Sequence, residues 1–519
     1  MKSNLINIIS NKTFYNMGTR LLQRVISPLI LLFCIAAPIL LQAQSKNNPN
    51  DQLGKQLKKA DQLYASYKLV EASKVYQEIL ALDPANFHSA YMMADISTRM
   101  EDHREAVRWY KDAININPDA NDTAYLKQGI AYKRIGNYMK AKESFLMFQR
   151  KHENKEDEYF NRATREIKGC DYAEEQISLN QKPMYRIDTV SFNSTSVDMF
   201  PSILDQRQED KYLVFTSHRL PEGKVSSKNQ YGGIGDGFSD LYLVVIENDS
   251  TFSPPVNMGA PINTPYNDGN STFTSDGLTM YYSAPVKTGK GGAEQSLFES
   301  KYDFGRKQWG KPLDLKGING KQLVVINSKG KTKELPSWDA QPSISGDGMT
   351  MVFASNRDGG QGGKDIWMTK RSGSAWTAPV NLGSKVNTPF HETSPYLNED
   401  GTKLFFASEG HVGFGGMDIY MSTMDGNGEF GEPQNMGSPI NSSYNDYASI
   451  FLNNDSTVYF TSDRSNGKGR SDIYWGKYNV YAIGPQTVSI QGMIVDKANK
   501  QPVPFAIATL FELQEDGTL

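Results

Sequence analysis

A short phrase carrying two glycines and an aspartate recurs through the middle of the chain, and these are residue types from which phosphate cradles are built. The phrase reads Gly360-Gln361-Gly362-Gly363-Lys364-Asp365-Ile366-Trp367 in its fullest form. It returns as Gly235-Asp236-Gly237-Phe238-Ser239-Asp240-Leu241-Tyr242, Gly413-Phe414-Gly415-Gly416-Met417-Asp418-Ile419-Tyr420 and Gly467-Lys468-Gly469-Arg470-Ser471-Asp472-Ile473-Tyr474. A fifth, damaged copy spans Gly289 to Phe298, with Glu294 in the aspartate slot. A dinucleotide site needs strand, glycines and helix N-terminus in one βαβ unit, with a third glycine. Here β segments flank every copy. Glycines that supply positive φ in a hairpin, with Asp240, Asp365, Asp418 and Asp472 bonding the loop amides, account for the phrase better.

Three arginines, Arg219, Arg357 and Arg464, follow the same apolar strand in three of the copies. They serve either as a salt bridge or loop bond within each repeat, which is the default, or as a ring facing a ligand. Other candidates fail on spacing. Asp425-Gly426-Asn427-Gly428-Glu429 opens like a calcium loop, but Phe430 holds the obligatory glycine position and Met436 the place of the twelfth ligand. Gly330-Lys331-Thr332 lacks the upstream glycine of a P-loop, because that position is Val325. The histidines (His88, His103, His152, His218, His391, His411) are scattered, and His391-Glu392 has no second histidine to complete a zinc helix. No Gly-x-Ser-x-Gly elbow is present. Cys34 and Cys170 are too few for a disulfide framework or a cysteine metal site. The sequence therefore assigns no catalytic, cofactor-binding or metal residue, and the expectation is a protein that is not an enzyme.

The elements that carry the phrase repeat with it. Each copy follows an apolar strand ending in serine: Leu213–Ser217, Met280–Ser283, Met351–Ser355, Leu404–Ser408 and Val458–Ser462. The aspartates step by 53 (365 to 418) and 54 (418 to 472). Such self-similarity, made of short strands and glycine turns, predicts propeller blades. A second phrase, Asn257-Met258-Gly259-Ala260-Pro261-Ile262-Asn263, is echoed at Asn381–Asn387 and Asn435–Asn441, and more weakly at Leu313–Asn319. An acid lies five residues after Asn263 (Asp268) and Asn441 (Asp446), and Asp198 stands in the same relation to Asn193. The stretch Tyr185–Asn193 thus reads as the outer strand of a blade whose inner strands come last, at Tyr474–Tyr478. Joining the two closes a ring of five blades over residues 184–480 and removes exposed sheet edges. Residues 320–336 are expected to be an inserted hairpin or loop.

Before the propeller, residues 53–177 show helical spacing with a 34-residue repeat: Ala72…Tyr76…Pro84 returns as Ala106…Tyr110…Pro118 and then as Ala141…Phe145. Small alanines at the close contact, aromatics between the helices and proline ending the second helix form the tetratricopeptide pattern. Three repeats and a capping helix at about 156–177 are expected. Residues 1–43 read as a signal peptide: Lys2, Lys12, Arg20 and Arg24 precede an apolar run from Ile26 to Leu41, with Ala43 at the cleavage site. Residues 486–519 read as the opening of a β-sandwich with too few strands to bury a core, so the chain is expected to be a fragment. The fold class is therefore multidomain: an α-helical tetratricopeptide solenoid, an all-β five-bladed propeller and the start of a β-sandwich.

Charge is near balance at −3, and no basic block supports nucleic-acid binding. The Ser-x-Arg…Gly-x-Gly-x-x-Asp-Ile-Tyr phrase resembles the TolB/WD-like β-propeller repeat. The final segment, with Gly492, Asp496 and Pro502-x-Pro504-x-Ala506, resembles a carboxypeptidase-regulatory-like domain. The order of segments is similar to that of OmpA-family envelope proteins of Bacteroidetes, including the PorE-like component of type IX secretion. The resemblance implies a non-enzymatic periplasmic scaffold at the outer membrane that holds protein partners of the cell envelope. It implies peptidoglycan binding only through a C-terminal OmpA-like domain, absent from this chain. Two competitors stand beside it: a sensor whose propeller mouth takes a glycan or peptide, and the recognition half of a hydrolase.

Overall fold

The computed structural model describes residues 49–179, 183–206, 211–220, 237–248, 251–287, 293–325 and 330–479. The signal-peptide reading of residues 1–43 and the β-sandwich reading of 486–519 lie outside the described residues. Among the described residues seven helices come first: α1 Pro49–Ala65, α2 Leu69–Leu82, α3 Phe87–Arg99, α4 His103–Ile116, α5 Thr123–Arg134, α6 Tyr138–Lys151 and α7 Glu158–Ser178. The first begins four residues ahead of Leu53. Pro49 occupies its opening position, where the missing amide proton costs nothing because the first amides of a helix are unpaired anyway. Side-chain oxygens of Asn86, Asp102, Asn137 and Asp157 accept from Ser89, Glu105, Lys140 and Phe160 amides and so cap α3, α4, α6 and α7.

The helices pair as three helix–turn–helix units with α7 against the last. Ala72, Ala94, Ala106, Ala131 and Ala141 are buried where the helices approach, and Tyr76, Tyr110 and Phe145 fill the space between them. Gly129 shows the tolerance: a Cβ there would stand 2.5 Å from the Phe145 ring.

Five antiparallel sheets follow, arranged as a five-bladed propeller. Each is built around three strands. The first blade holds Asp198–Asp205, Lys211–Ser217 and Asp240–Asn248; the second Gly269–Phe273, Thr279–Lys287 and Ala293–Asp303; the third Asp339–Ile344, Thr350–Ser355 and Asp365–Ser372; the fourth Glu392–Leu397, Lys403–Ser408 and Asp418–Thr423; the fifth Asp446–Leu452, Thr457–Ser462 and Asp472–Tyr478. Within the expected insertion, Lys321–Val325 pairs antiparallel with Thr332–Pro336, separate from the five blades. Hydrophobic side chains pack between neighbouring sheets, as where Phe405 of the fourth blade stacks on Phe451 of the fifth with centroids 4.0 Å apart.

The ring closes as the sequence predicts. Tyr185–Thr189 pairs antiparallel with the end of the fifth blade, Tyr185 opposite Tyr478 and Thr189 opposite Tyr474. Asn193 then clamps that blade: its Oδ1 accepts from the Ile473 amide at 3.1 Å and its Nδ2 donates to the Ile473 carbonyl at 2.8 Å. The same two-point clamp joins Asn263 to Leu241, Asn319 to Leu297, Asn387 to Ile366 and Asn441 to Ile419. A side-chain amide has one donor face and one acceptor face, so it pairs with a strand residue as another strand would. In four blades the clamp is local; at Asn193 it ties the two ends of the ring.

Candidate functional site

Three of the four aspartates of the glycine phrase organise their loops by geometry. Asp365 accepts from the amides of Gln361 and Gly362 and from Asn381 Nδ2 at 2.8 Å; Asp418 accepts from the Gly415 amide at 3.1 Å; Asp472 accepts from the Gly469 amide at 2.9 Å. Asp240 accepts from Asn257 Nδ2 at 2.9 Å. The Asp425 loop also closes on itself, its Oδ1 accepting from the Asn427 and Glu429 amides.

Arg219, Arg357 and Arg464 each turn back onto the first acid of the innermost strand in their own blade. Arg219 donates to Asp198 at 2.7 Å, Arg357 to Asp339 at 2.6 Å and Arg464 to Asp446 at 2.5 Å. Each also donates to a backbone carbonyl (Phe192, Ile318 and Ile440) and lies over aromatic rings of its blade. The second and fourth blades have Pro285 and Gly410 in that slot, and their acids, Asp268 and Glu392, have no arginine. Burial pushes both carboxyls up to about 7. Ser408 and Thr388 hydroxyls donate to Glu392 at 2.6 and 2.8 Å.

The feature with the largest structural consequence is the joint between the helical array and the propeller. Lys133, at the end of α5 and 6% exposed, donates to Glu166 of α7 at 2.7 Å and to the Gly415 carbonyl at 2.8 Å. Burial alone would push Glu166 up, but Lys133, Arg165 and Arg162 hold it down to about 2. Arg134 donates to Asn445 at 2.7 Å, and its own carbonyl accepts from the Ser443 hydroxyl at 2.9 Å. Arg162 reaches Glu409 at 3.2 Å, and Arg165 lies over the Phe390 ring.

At the centre Phe414, 4% exposed, enters the core of the last helices and meets the Tyr172 ring edge-on with centroids 5.3 Å apart. Backbones touch as well. A Cβ on Gly169 would stand 2.9 Å from the Gly413 carbonyl, and one on Gly416 would stand 2.5 Å from the Arg134 guanidinium. Sequence reasoning missed this joint. One signal was available: in the slot of Phe414 the other intact copies carry Asp236, Gln361 and Lys468, all polar.

The first helices of successive repeats form one face, crossed by a polar ladder. Asp95 of α3 accepts from Tyr64 of α1, from Arg99 at 2.9 Å and from Lys127 of α5 at 2.6 Å. Burial opposes the charge on Asp95, yet these donors hold its carboxyl below the usual range. Tyr76 and His88 bond Asp61 at 2.6 and 2.8 Å. Arg99, Lys127, His88 and Asp61 stay partly open to solvent, while Asp95 and Tyr76 are buried beneath them.

The third feature is the propeller channel, a cavity of about 260 Å³ on the axis. All five innermost strands break register at one point, where Phe200, Asn270, Gln341, Ser394 and Ala448 take φ of 52–59°. Such backbone costs a non-glycine residue about 1 kcal/mol. Contacts explain it in four blades. The bulge amides of Phe200, Asn270, Gln341 and Ser394 donate to Thr461, Thr216, Ser283 and the Gln341 side chain of the preceding blade.

Among the described residues no group of three or more His, Cys, Asp or Glu could hold a metal ion, and no helix is long and apolar enough to cross a membrane. Cys170 is buried, and burial pushes its thiol up to about 12.

Residues 87–120 match the tetratricopeptide repeat family model. No curated protein matches the chain. Among solved structures it is similar to the type III secretion translocator chaperone SycD of Yersinia enterocolitica, at 18% identity over 26% of this chain and 92% of that one, TM-score 0.24. It is also similar to MamA, at 19% identity over 26% and 68%, TM-score 0.22. A third similarity is to an N-acetylgalactosamine deacetylase from F. plautii, at 13% identity over 58% and 96%, TM-score 0.34. Superpositions this weak say nothing about what this chain binds. The helical repeat and propeller folds together suggest a protein-interaction scaffold.

Proposed function

We propose that the chain is a non-enzymatic scaffold of the cell envelope, periplasmic and associated with the outer membrane. The helical groove and the propeller each hold a protein partner, and the buried Lys133–Glu166–Gly415 joint fixes the distance between them. That joint carries the reading: two independent binding modules need no buried charge and no aromatic anchor to stay together. The type IX secretion machinery, or anchoring of the envelope, is the setting that the sequence resemblance favours. Peptidoglycan would be reached through a C-terminal OmpA-like domain and not through the residues described here.

The test is cross-linking in cells that express the chain, with partners quantified for wild type, for Lys127→Glu in the groove and for Phe414→Ala in the joint. Two partner sets are expected: one lost on the groove substitution, and the other retained but no longer cross-linked to the first when the joint loosens. Recovery of no specific partner from the envelope fraction would overturn the reading.

A further inference from the structure

The third helical repeat ends differently from the first two. Pro84 and Pro118 follow α2 and α4, but the matching place after α6 holds Glu153, with His152 before it. The His152 imidazole, 13% exposed, stands between two carboxylates: Nδ1 lies 2.7 Å from Asp122 and Nε2 2.8 Å from Asp157. Asp122 occupies the N-cap position of α5, yet its side chain caps no amide there. Asp157 caps α7, its Oδ1 accepting from the Phe160 amide at 2.9 Å while its Oδ2 faces the ring. The Phe148 ring stacks on the imidazole with centroids 4.6 Å apart. One side chain at the end of α6 therefore ties together the starts of α5 and α7.

The count of donors fixes the charge of the ring. A neutral imidazole carries one N–H, so its second nitrogen would point a lone pair at a carboxylate. Only the imidazolium donates to both acids. Tyr159 of α7 presents its ring edge with centroids 6.5 Å apart, Lys155 bonds the His152 carbonyl, and Lys151 pairs with Asp119. Among the described residues, Asp122 and Asp157 are the charged groups bonded to the ring itself. Burial opposes the charge, but the two acids outweigh it and hold the imidazole above its ordinary 6.5.

We infer that His152 is a proton-dependent latch on the joint between the helices and the propeller. Charged, it ties α5 to α7, the two helices whose Lys133 and Glu166 meet at that joint. Once the proton leaves, one carboxylate faces a lone pair and lets go. Whichever it is, the tie from α5 to α7 is broken. Stability from this contact is complete below 6.5 and is lost as pH rises through the raised folded value. The latch thus acts at the opposite end of the pH scale from Glu166, whose contribution is lost in acid.

The latch concerns the joint and not the partners assigned to the scaffold, so either reading can fail without the other. The test is an NMR titration of the whole chain, labelled with carbon-13 histidine, from about pH 5 to about pH 9. His152 is expected to titrate above 6.5, with both ring nitrogens protonated below its midpoint. Hydrogen exchange read by mass spectrometry, corrected for its intrinsic pH dependence, should quicken across that midpoint. The step should reach about tenfold or more, as for loss of one hydrogen bond to a charged group, in the first turns of α7 and in the Gly413–Met417 loop seated on them. His152→Gln identifies the signal and should remove the step. Asp122→Asn, which keeps the shape and leaves the bond to Asp157, should lower the His152 midpoint. A contact that merely holds structure would change exchange equally at every pH. A midpoint at or below 6.5 overturns the latch, as does exchange in either segment that ignores the midpoint, or a step that survives in His152→Gln.

Discussion

Lys133 Nζ lies 2.8 Å from the carbonyl oxygen of Gly415, a residue of a different domain, and 2.7 Å from the Glu166 carboxylate that neutralises it. One ammonium thus joins α5, α7 and the fourth blade. Breaking a buried charge pair by removing one partner costs roughly 3–5 kcal/mol, because the other charge stays buried. Glu166→Gln should therefore separate thermal unfolding into two transitions, helical and β, where the wild type shows one. Calorimetry with far-ultraviolet circular dichroism reads this directly, and a single transition at the wild-type temperature would contradict it.

The same pair sets an acid limit. Glu166 titrates at about 2 in the folded protein against 4.5 as an ordinary glutamate, so its contribution is present above the ordinary value and is lost as pH falls towards 2. The joint should open on acidification below about pH 4, while the propeller keeps its β signal. Small-angle scattering would register the opening as a larger radius of gyration.

Phe414→Ala removes a buried aromatic from the helical core and should cost about 3–5 kcal/mol. Phe414→Gln, the residue that the third blade carries, should loosen the joint without disturbing the loop. Gly416→Ala acts on the same contact through backbone proximity, because its Cβ would meet the Arg134 guanidinium and the Asn445 amide at 2.5 Å. Gly426→Ala, with nothing within 4 Å of its Cβ, is the matched control and should leave stability within about 0.5 kcal/mol. Chemical denaturation of the four proteins side by side checks the order.

Asp268 runs in the opposite direction to Glu166. Its folded value is raised to about 7 from 3.8, so its contribution is full below the unfolded value and is lost as pH rises through 7. Asp268→Asn should be close to neutral at pH 4 and stabilising by about 2 kcal/mol at pH 8. Melting temperatures at the two pH values test it, and an equal effect at both would show that the acid is not titrating.

The local repeats made much of this architecture readable. The glycine phrases, the serine-ended strands and the paired asparagines at 257/263, 381/387 and 435/441 encode turns and clamps within one blade. Their partners lie close in sequence, so spacing alone identifies them. Closure was readable for a related reason, since Asn193 repeats the Asn263 pattern and differs only in reaching Ile473 from the other end of the chain.

The roles of particular residues were harder to see. The arginine slot was visible at 219, 357 and 464, but not that Asp198, Asp339 and Asp446 answer it, nor that Asp268 and Glu392 lie unanswered under Pro285 and Gly410. That balance depends on burial, which composition does not report.

By itself, then, the sequence determined the helical repeats, the number of blades and the strand that completes the ring, because those follow from periodic patterns within tens of residues. Tertiary structure alone decided which rim of the propeller the helices occupy and which of the glycine loops became their seat. These depend on groups as far apart as Lys133 and Gly415, whose proximity comes from packing and leaves no periodic trace along the chain.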